Sequence, residues 1–326
     1  MTQYTNITNL PLPIAVWLAH DTYDKQEAGL SATGLMRPVR QTILSRRVPP
    51  DEGSVDISGL IKSRIGTAIH DAIERAWMSE KLPQTLNSLG IPLKIIKRFI
   101  VNPINRLFNR PVIPVYLEIR SSKEVNGVKI SGKFDYIGDG RVHDFKTTST
   151  FAYTSGSKDE DYILQGSIYR WLNPDIITDD RMSIIFLFMD WNKNRYLSAR
   201  DTYPPSQIVS REFELLPEVT VQAYVENKVR ELIACENLPE PELPRCTDKE
   251  LWRKEDTFKF YTKADAVGKS SKNFDNYRDA YQHYIDKGSA GRIDVVKGTV
   301  QACHWCSGFT LCSQKDEMIE TGELKL

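Results

Sequence analysis

Cysteine is scarce in this chain: of 326 residues five are cysteine, none precedes Cys235, and three crowd into Cys303–Cys312. That distribution excludes a disulfide scaffold and points to a metal site, with the cytoplasm as the expected compartment. Net charge is lacking too, since 43 Lys and Arg meet 43 Asp and Glu. The chain is therefore no non-specific coat for nucleic acid, and any contact with a polyanion must come from local basic patches. No apolar run approaches membrane-spanning length. Leu10–Ala19 is apolar but short, is broken by Pro11 and Pro13, and lacks a basic lead, so it reads as a structural segment and not a secretory signal. A Gly-rich phosphate loop of the Walker type and internal repeats are also missing. The length allows one large domain or two. A Pro-rich stretch, Asn237–Cys246, suggests a division into a core of residues 1–236 and an extension of residues 237–326.

What is present is concentrated in Gly132–Lys146. Asp139-Gly140 favours a two-residue hairpin, and Asn126-Gly127 marks another, between strands Val112–Glu124 and Val128–Ile137. Counting back from these turns puts Asp135 opposite Asp144 and Glu118 opposite Asp135. Like charges facing each other across a ladder repel, so a cation between them is the natural reason for the arrangement. Lys146, two residues past Asp144, projects from the same strand face. Two or three acids and a lysine on one face make a site for metal-assisted phosphodiester hydrolysis.

Around this centre the pattern predicts further elements. Arg37, Arg40, Arg46 and Arg47 form a basic cluster, either a solvated loop or a phosphate-contacting arm. Ile57–Glu80 is expected to be a helix capped by Ser58, with His70 on the flank of its apolar stripe one turn after Gly66, whose missing side chain leaves room beside the imidazole. Leu82–Arg110 carries Lys94, Lys97, Arg98, Arg106 and Arg110; helical spacing would place Lys94, Lys97 and Arg98 on one face, solvated or facing DNA. Asp159–Leu172 is a helix bearing Tyr162, Gln165 and Tyr169, residues of the core edge or groups that hold a phosphate or stack a base. Met182–Asp190 reads as a strand, Asn192-Lys193-Asn194 as a turn into a second strand, Arg195–Asp201, and Val219–Glu236 as an amphipathic helix. Cys303, Cys306 and Cys312, joined by Cys246 as fourth ligand, suit a 4Fe–4S cluster or a structural Zn2+; His304 and Cys235 are alternative fourth ligands.

Four of these segments together resemble the RecB-type nucleases of the PD-(D/E)XK superfamily. Gly66-Thr67-Ala68-Ile69-His70 is similar to their Gly-x-x-x-His motif, Gly132-x-x-Asp135 to the second motif, Asp144-Phe145-Lys146 to Asp-x-Lys, and Gln165-x-x-x-Tyr169 to Gln-x-x-x-Tyr. The four stand in family order across roughly residues 60–172. Cys303-x2-Cys306-x5-Cys312 is similar to the cysteine triplet of family members with an iron–sulfur cluster, AddB and the CRISPR-associated nucleases among them. Those relatives have their fourth cysteine before the nuclease motifs; this chain has none there.

The resemblance implies a restriction-endonuclease-like α/β core, a central mixed sheet flanked by helices, with a C-terminal cysteine-bound extension. It implies Mg2+ or Mn2+ held by His70, Asp135, Asp144 and the carbonyl of Phe145, with Glu118 as a further ligand. Lys146 would orient or deprotonate water or stabilise the transition state, Gln165 and Tyr169 would position the strand, and the cysteines would carry iron–sulfur. The expected activity is that of a stand-alone deoxyribonuclease, an exonuclease at single-stranded ends in recombination, repair or phage DNA metabolism. A recombination or single-strand-binding protein is the expected partner, and no membrane is involved. The alternatives are a non-cleaving holder of DNA ends and an RNA-processing nuclease.

Overall fold

A computed structural model describes residues 3–20, 29–49, 55–104 and 109–326. The order of elements is β1 (Tyr4–Thr5), α1 (Leu12–Ala19), β2 (Leu30–Ser31), α2 (Ala32–Leu35), α3 (Val39–Arg47), β3 (Val55–Asp56) and α4 (Ile61–Trp77). Then come α5 (Leu82–Ser88), α6 (Leu93–Ile96), β4 (Phe99–Val101), β5 (Ile113–Leu117), β6 (Arg120–Val125), β7 (Val128–Lys133), β8 (Tyr136–Gly138) and β9 (Arg141–Thr148). These are followed by α7 (Thr150–Ser155), α8 (Asp159–Leu172), β10 (Arg181–Phe188), α9 (Lys193–Ser198), β11 (Ile208–Glu214) and α10 (Glu218–Cys235). The last elements are β12 (Thr257–Tyr261), β13 (Lys272–Phe274), α11 (Tyr277–Asp286), β14 (Arg292–Val296) and α12 (Ser313–Glu320). The chain forms two compact units, one of Met1–Met36 with Asp51–Arg230, the other of Arg37–Pro50 with Glu231–Leu326.

The first unit holds a six-stranded sheet in the order β11-β10-β9-β8-β5-β4. Its pairs β9/β10 and β4/β5 are parallel and the others antiparallel, so the sheet is mixed. Helices α4 and α8 both pack on β9. This is the mixed sheet with flanking helices that a restriction-endonuclease-like core requires. Its centre is fully buried and made of Val115, Ile137, Val142, Ile168, Ile184 and Phe186. Burying six large apolar side chains contributes on the order of 10 kcal/mol before the entropy of ordering them is charged.

The two hairpins have the expected register, Gly138 opposite Arg141 and Arg120 opposite Lys133. The strands themselves are broken. Val112–Glu124 is split at Glu118, which sits at φ 52, and Val128–Ile137 is split at the fully buried Phe134. A non-glycine residue in the left-handed region cannot continue a ladder. The hairpin therefore changes sheets: β5 and β8 join the six-stranded sheet, and β6 and β7 form a three-stranded one with β2.

Other expectations are corrected. Asp56 rather than Ser58 caps the start of the His70 helix, accepting from Ser58 N at 3.0 Å, and a single 3-10 turn, Ile57–Leu60, precedes α4. Residues 82–104 hold two short helices and a strand, with a break at Gly90, which takes φ 82, and at Pro92. Arg106 lies outside the described residues. Arg195–Asp201 is no strand: the Asn192 side chain accepts from Asn194 N and Arg195 N and starts α9. The strand that pairs antiparallel with β10 is β11 instead.

In the second unit, β13-β12-β14 form an antiparallel sheet covered on one face by α11, whose Ala280 is fully buried and whose His283 meets the rings of Phe260 and Phe274. The arginine cluster expected to be solvated or phosphate-facing is largely consumed here by internal contacts. Arg46 pairs with Glu236 at 2.6 Å, and Arg47 donates to the carbonyls of Glu236 at 2.9 Å and Leu238 at 2.7 Å, answering free carbonyls beyond the end of α10. Arg40 is buried and bonds the carbonyl of Leu243 at 3.0 Å and the carboxylate of Glu240.

Candidate active site and cysteine site

Asp135 lies one residue beyond β8 and Glu118 one beyond β5, so the pairing of Leu117 with Tyr136 brings the two acids side by side. Glu118 N donates to the carbonyl of Asp135 at 3.2 Å. Asp135 Oδ2 accepts from Phe145 N at 2.8 Å, which ties the acid to β9. From α4, His70 reaches into the same space: Nδ1 stands 3.4 Å from Asp135 Oδ1 and 3.9 Å from Glu118 Oε1, and Nε2 meets the carbonyl of Phe145 at 3.0 Å. Ligand atoms of His70, Glu118 and Asp135 all come within 4.8 Å of one another, the group of this kind found among the described residues. Burial opposes charge on the imidazole. The hydrogen bond and charge of Asp135, helped by the Phe145 carbonyl and Asp144, outweigh it and raise the pKa to about 9. Burial also lifts Glu118 above the usual carboxylate range against the pull of Lys133, 2.5 Å away.

Asp144, beside this group on β9, faces Lys146. Its carboxylate is 2% exposed, with Oδ2 2.6 Å from Lys146 Nζ. That contact is a close ion pair between the half-buried ammonium and the buried carboxylate. Burial pushes Asp144 up despite the lysine. Burial disfavours the Lys146 ammonium, but the charge of Asp144 holds it protonated. Lys146 Nζ also reaches Gln165 Oε1 at 3.4 Å, and Gln165 Nε2 donates to Tyr169 Oη at 2.8 Å, so this pair on α8 fixes the lysine. Tyr162 is 6% exposed, with its ring edge-on to Phe186 and Lys146 Nζ 5.7 Å from its centre. The ring is a core element and is not available to stack a base.

Both motif glycines mark close approaches. A side chain at Gly132 would put Cβ 2.7 Å from Leu172 Cδ1 and 3.0 Å from Tyr169 Cδ1, so its absence lets β7 pack on α8. A Cβ at Gly66 would stand 3.1 Å from Thr147 Oγ1, so the space it leaves is used by β9 and not by the imidazole. The site opens into a cavity of about 350 Å3 that also includes Ser31, Thr33, Arg120 and Lys133. Sequence reasoning missed these four. Lys133 had a signal in its place between Gly132 and Asp135; Ser31 and Thr33 had none, because β2 joins β7 from 100 residues away in sequence, Leu30 pairing with Ile130. Lys94 and Lys97 are exposed, while Arg98 is partly buried with its Nε enclosed; with α6 only four residues long, the three do not share a continuous helical face.

The cysteines of the second unit are free thiols. Cys303 lies in an apolar cluster with Leu251, Val300, Met318 and Leu324, and Cys246 packs against it. Cys246 is clamped by Gln314, whose Oε1 accepts from its N–H at 2.9 Å and whose Nε2 donates to its carbonyl at 3.0 Å. Arg40 Nε donates to Cys312 Sγ at 3.2 Å. Burial pushes the Cys246 thiol up to about 12 and Cys303 up to about 11, and in each case the charges of Cys306 and Cys312 add to it. The four thus share one neighbourhood, although their sulfurs do not form a group within 4.8 Å. Cys235 is buried apart from them in these interactions, and His304 is exposed.

No family model matches the chain, and no curated protein does. Among solved structures, the chain is similar to SSO0001 at 17% identity and a TM-score of 0.39, over 69% of this chain and 85% of that one. It is similar to LHK-Exo in complex with dAMP at 11% identity and a TM-score of 0.27, over 63% and 88%. A phage-related exonuclease from Haemophilus somnus 129PT is matched at 14% identity and a TM-score of 0.27, over 64% and 96%. Among the described residues no helix is long and apolar enough to cross a membrane.

Proposed function

We propose that the first unit is a metal-dependent deoxyribonuclease acting on single-stranded ends. The observation that carries this reading is the gathering of His70, Glu118 and Asp135 beside a buried Asp144 paired with Lys146. The donor set, carboxylate and carbonyl oxygens with one imidazole nitrogen, fits Mg2+ or, with the nitrogen, Mn2+. His70, Glu118, Asp135, Asp144 and the Phe145 carbonyl would hold it. Such an ion supplies Lewis-acid polarisation of a phosphoryl oxygen and activation of water. Lys146, kept protonated by Asp144, acts on the phosphate as a fixed positive charge and not as a base. Gln165 holds that ammonium in place, and Tyr169 holds Gln165. Asp135 orients His70 and, through Phe145 N, fixes the strand that presents Asp144. Lys133 and Arg120 line the cavity and suit the polyanionic backbone.

The test is cleavage of end-labelled single-stranded DNA. Degradation with Mn2+, none with EDTA and none by Asp144→Ala is the expected pattern. Equal degradation by Asp144→Ala would refute the site. Labels at the 5′ and 3′ ends report polarity, and an RNA substrate of the same sequence reports the competing activity.

For the second unit, we infer that Cys246, Cys303, Cys306 and Cys312 hold a 4Fe–4S cluster. A tetrahedral zinc with 2.3 Å bonds would bring the sulfurs to about 3.8 Å from one another. The four thiols lie in one neighbourhood, which suits a four-thiolate centre, and the similarity of Cys303-x2-Cys306-x5-Cys312 to the triplet of iron–sulfur nucleases favours iron. Its role is to pin the tail in place.

A further inference from the structure

Helix α11 carries an aromatic stripe that the core does not use. Tyr277, Tyr281 and Tyr284 follow at i, i+4 and i+7 and lie within an arc of about 60° on a helix turning about 100° per residue. Adjacent rings are nearly parallel, with centroids 5.9 and 6.0 Å apart and planes inclined by 21° and 29°. Tyr277 is 52% and Tyr281 47% exposed. The side of α11 that meets the sheet is a different one, built on Ala280 and His283. Only Tyr277 is braced from below, edge-on to Phe258 with centroids 5.7 Å apart.

Charge is segregated around the stripe. On the same geometry, Asp279 and Asp286 fall on the far side of the helix, about 170–190° from its centre, while Arg278 borders it at about 90°. The surrounding module, Thr257–Lys297, holds eight Lys and Arg against five Asp, in a chain that is otherwise short of positive charge by the same margin. A row of two exposed rings and one half-buried ring on a module with an excess of Lys and Arg has the chemistry that binds bases and backbone of an unpaired strand.

We propose that this flank of α11 is a stacking platform for single-stranded nucleic acid. The ring spacing chooses the form of the polymer. Bases in a duplex repeat every 3.4 Å along each strand and hide their faces against one another. Rings about 6 Å apart match only bases that have been splayed out. Tyrosine offers a flat face at low entropic cost and no base-specific edge, so binding is tolerant of sequence. The assignment rests on the proposed nuclease reading for the identity of the polymer.

The experiment is fluorescence anisotropy of labelled oligothymidine with the full chain in EDTA, so that nothing is cut. Tyr277→Ala/Tyr281→Ala should bind at least tenfold more weakly than the wild type, and Tyr277→Phe/Tyr281→Phe within about threefold, because the rings remain. A blunt duplex of equal length should bind weakly and equally to all three proteins. Unchanged oligothymidine affinity in the folded double-alanine protein overturns the platform. So does absence of wild-type binding, including the case where the stripe instead mediates self-association in sedimentation. If the alanine protein does not fold, hydrogen exchange of wild-type residues 277–286 decides: slowing with oligothymidine supports the platform, and no slowing overturns it. Cleavage with Mn2+ is scored separately. Cutting without ring-dependent binding removes the platform alone, and ring-dependent binding without cutting removes the nuclease reading alone.

Discussion

His70 Nε2 stands 3.0 Å from the carbonyl oxygen of Phe145 while Nδ1 faces Asp135, so one imidazolium bridges the oxygens that would also serve a divalent ion. A metal must therefore displace a proton from His70. With the pKa raised to about 9, Mn2+ affinity should climb about tenfold per pH unit from pH 6.5 to 9 and then level off. Isothermal titration calorimetry across that range checks it, and in His70→Ala the slope should flatten.

The same proton stabilises the metal-free fold. The folded pKa lies above the ordinary 6.5, so this contribution is fully present below pH 6.5 and is lost as pH rises through about 9. Its size is at most about 3 kcal/mol. Urea midpoints in EDTA should fall between pH 6 and 9.5 for the wild type, and less for His70→Ala.

Asp144 is buried and its partner Lys146 is half-buried, so removing the lysine strands the carboxylate while removing the acid leaves the lysine within reach of water. Asp144→Ala should lose at least a hundredfold in cleavage rate, about 3 kcal/mol of barrier, while Lys146→Met, which strands the buried carboxylate, should cost more folding stability than Asp144→Ala. Asp144→Ala/Lys146→Met should regain part of the stability and none of the activity. Thermal denaturation with single-turnover cleavage separates the two effects.

Tyr169 acts on Lys146 through Gln165. Tyr169→Phe leaves Gln165 Nε2 without its acceptor and should lower kcat about threefold to tenfold with KM unchanged, a cost of about 1 kcal/mol. A rise in KM alone would mean that the pair contacts the strand.

Gly132→Ala should destabilise the fold by about 1–3 kcal/mol, because its Cβ would meet Leu172 and Tyr169 at 3.0 Å or less. Calorimetric melting reads this directly, and cleavage should fall with the displacement of Tyr169.

Protein purified without oxygen should be brown and hold about four irons per chain. Cys246→Ala and Cys312→Ala should be colourless. One zinc per chain in their place would transfer the site to zinc, and neither metal would remove it.

The site was legible where it depended on local chemistry. Two Asx-Gly turns set the register of β5, β8 and β9 that brings Glu118 beside Asp135 and Asp135 to Phe145, and the motif spacing pointed to His70 and Lys146 as candidates. The change of sheet was not legible, because it depends on one backbone angle, that of Glu118, which no composition reveals. The division of labour among the acids was equally hidden. Period-2 alternation says that Asp144 and Lys146 share a face, but only packing decides that they pair with each other. The helical spacing of Lys94, Lys97 and Arg98 did not mark a continuous helix, because the chain leaves α6 after Ile96 and enters β4 at Phe99. The arginines near residue 40 read as a solvated loop or a phosphate-contacting arm because their partners, Glu236 and Glu240, lie some 190–200 residues away in sequence.

Those partners bear on how the protein is made. Residues 37–50 belong to the unit that is completed only after residue 231, so α3 leaves the ribosome long before the segment that receives it. At about 5–20 residues per second, that is a wait on the order of ten seconds or more with Arg40, Ile43 and Leu44 uncovered. During synthesis the first unit must close around a gap in its own sequence. A fragment beginning at residue 231 should be insoluble unless a peptide of residues 37–50 is supplied with it.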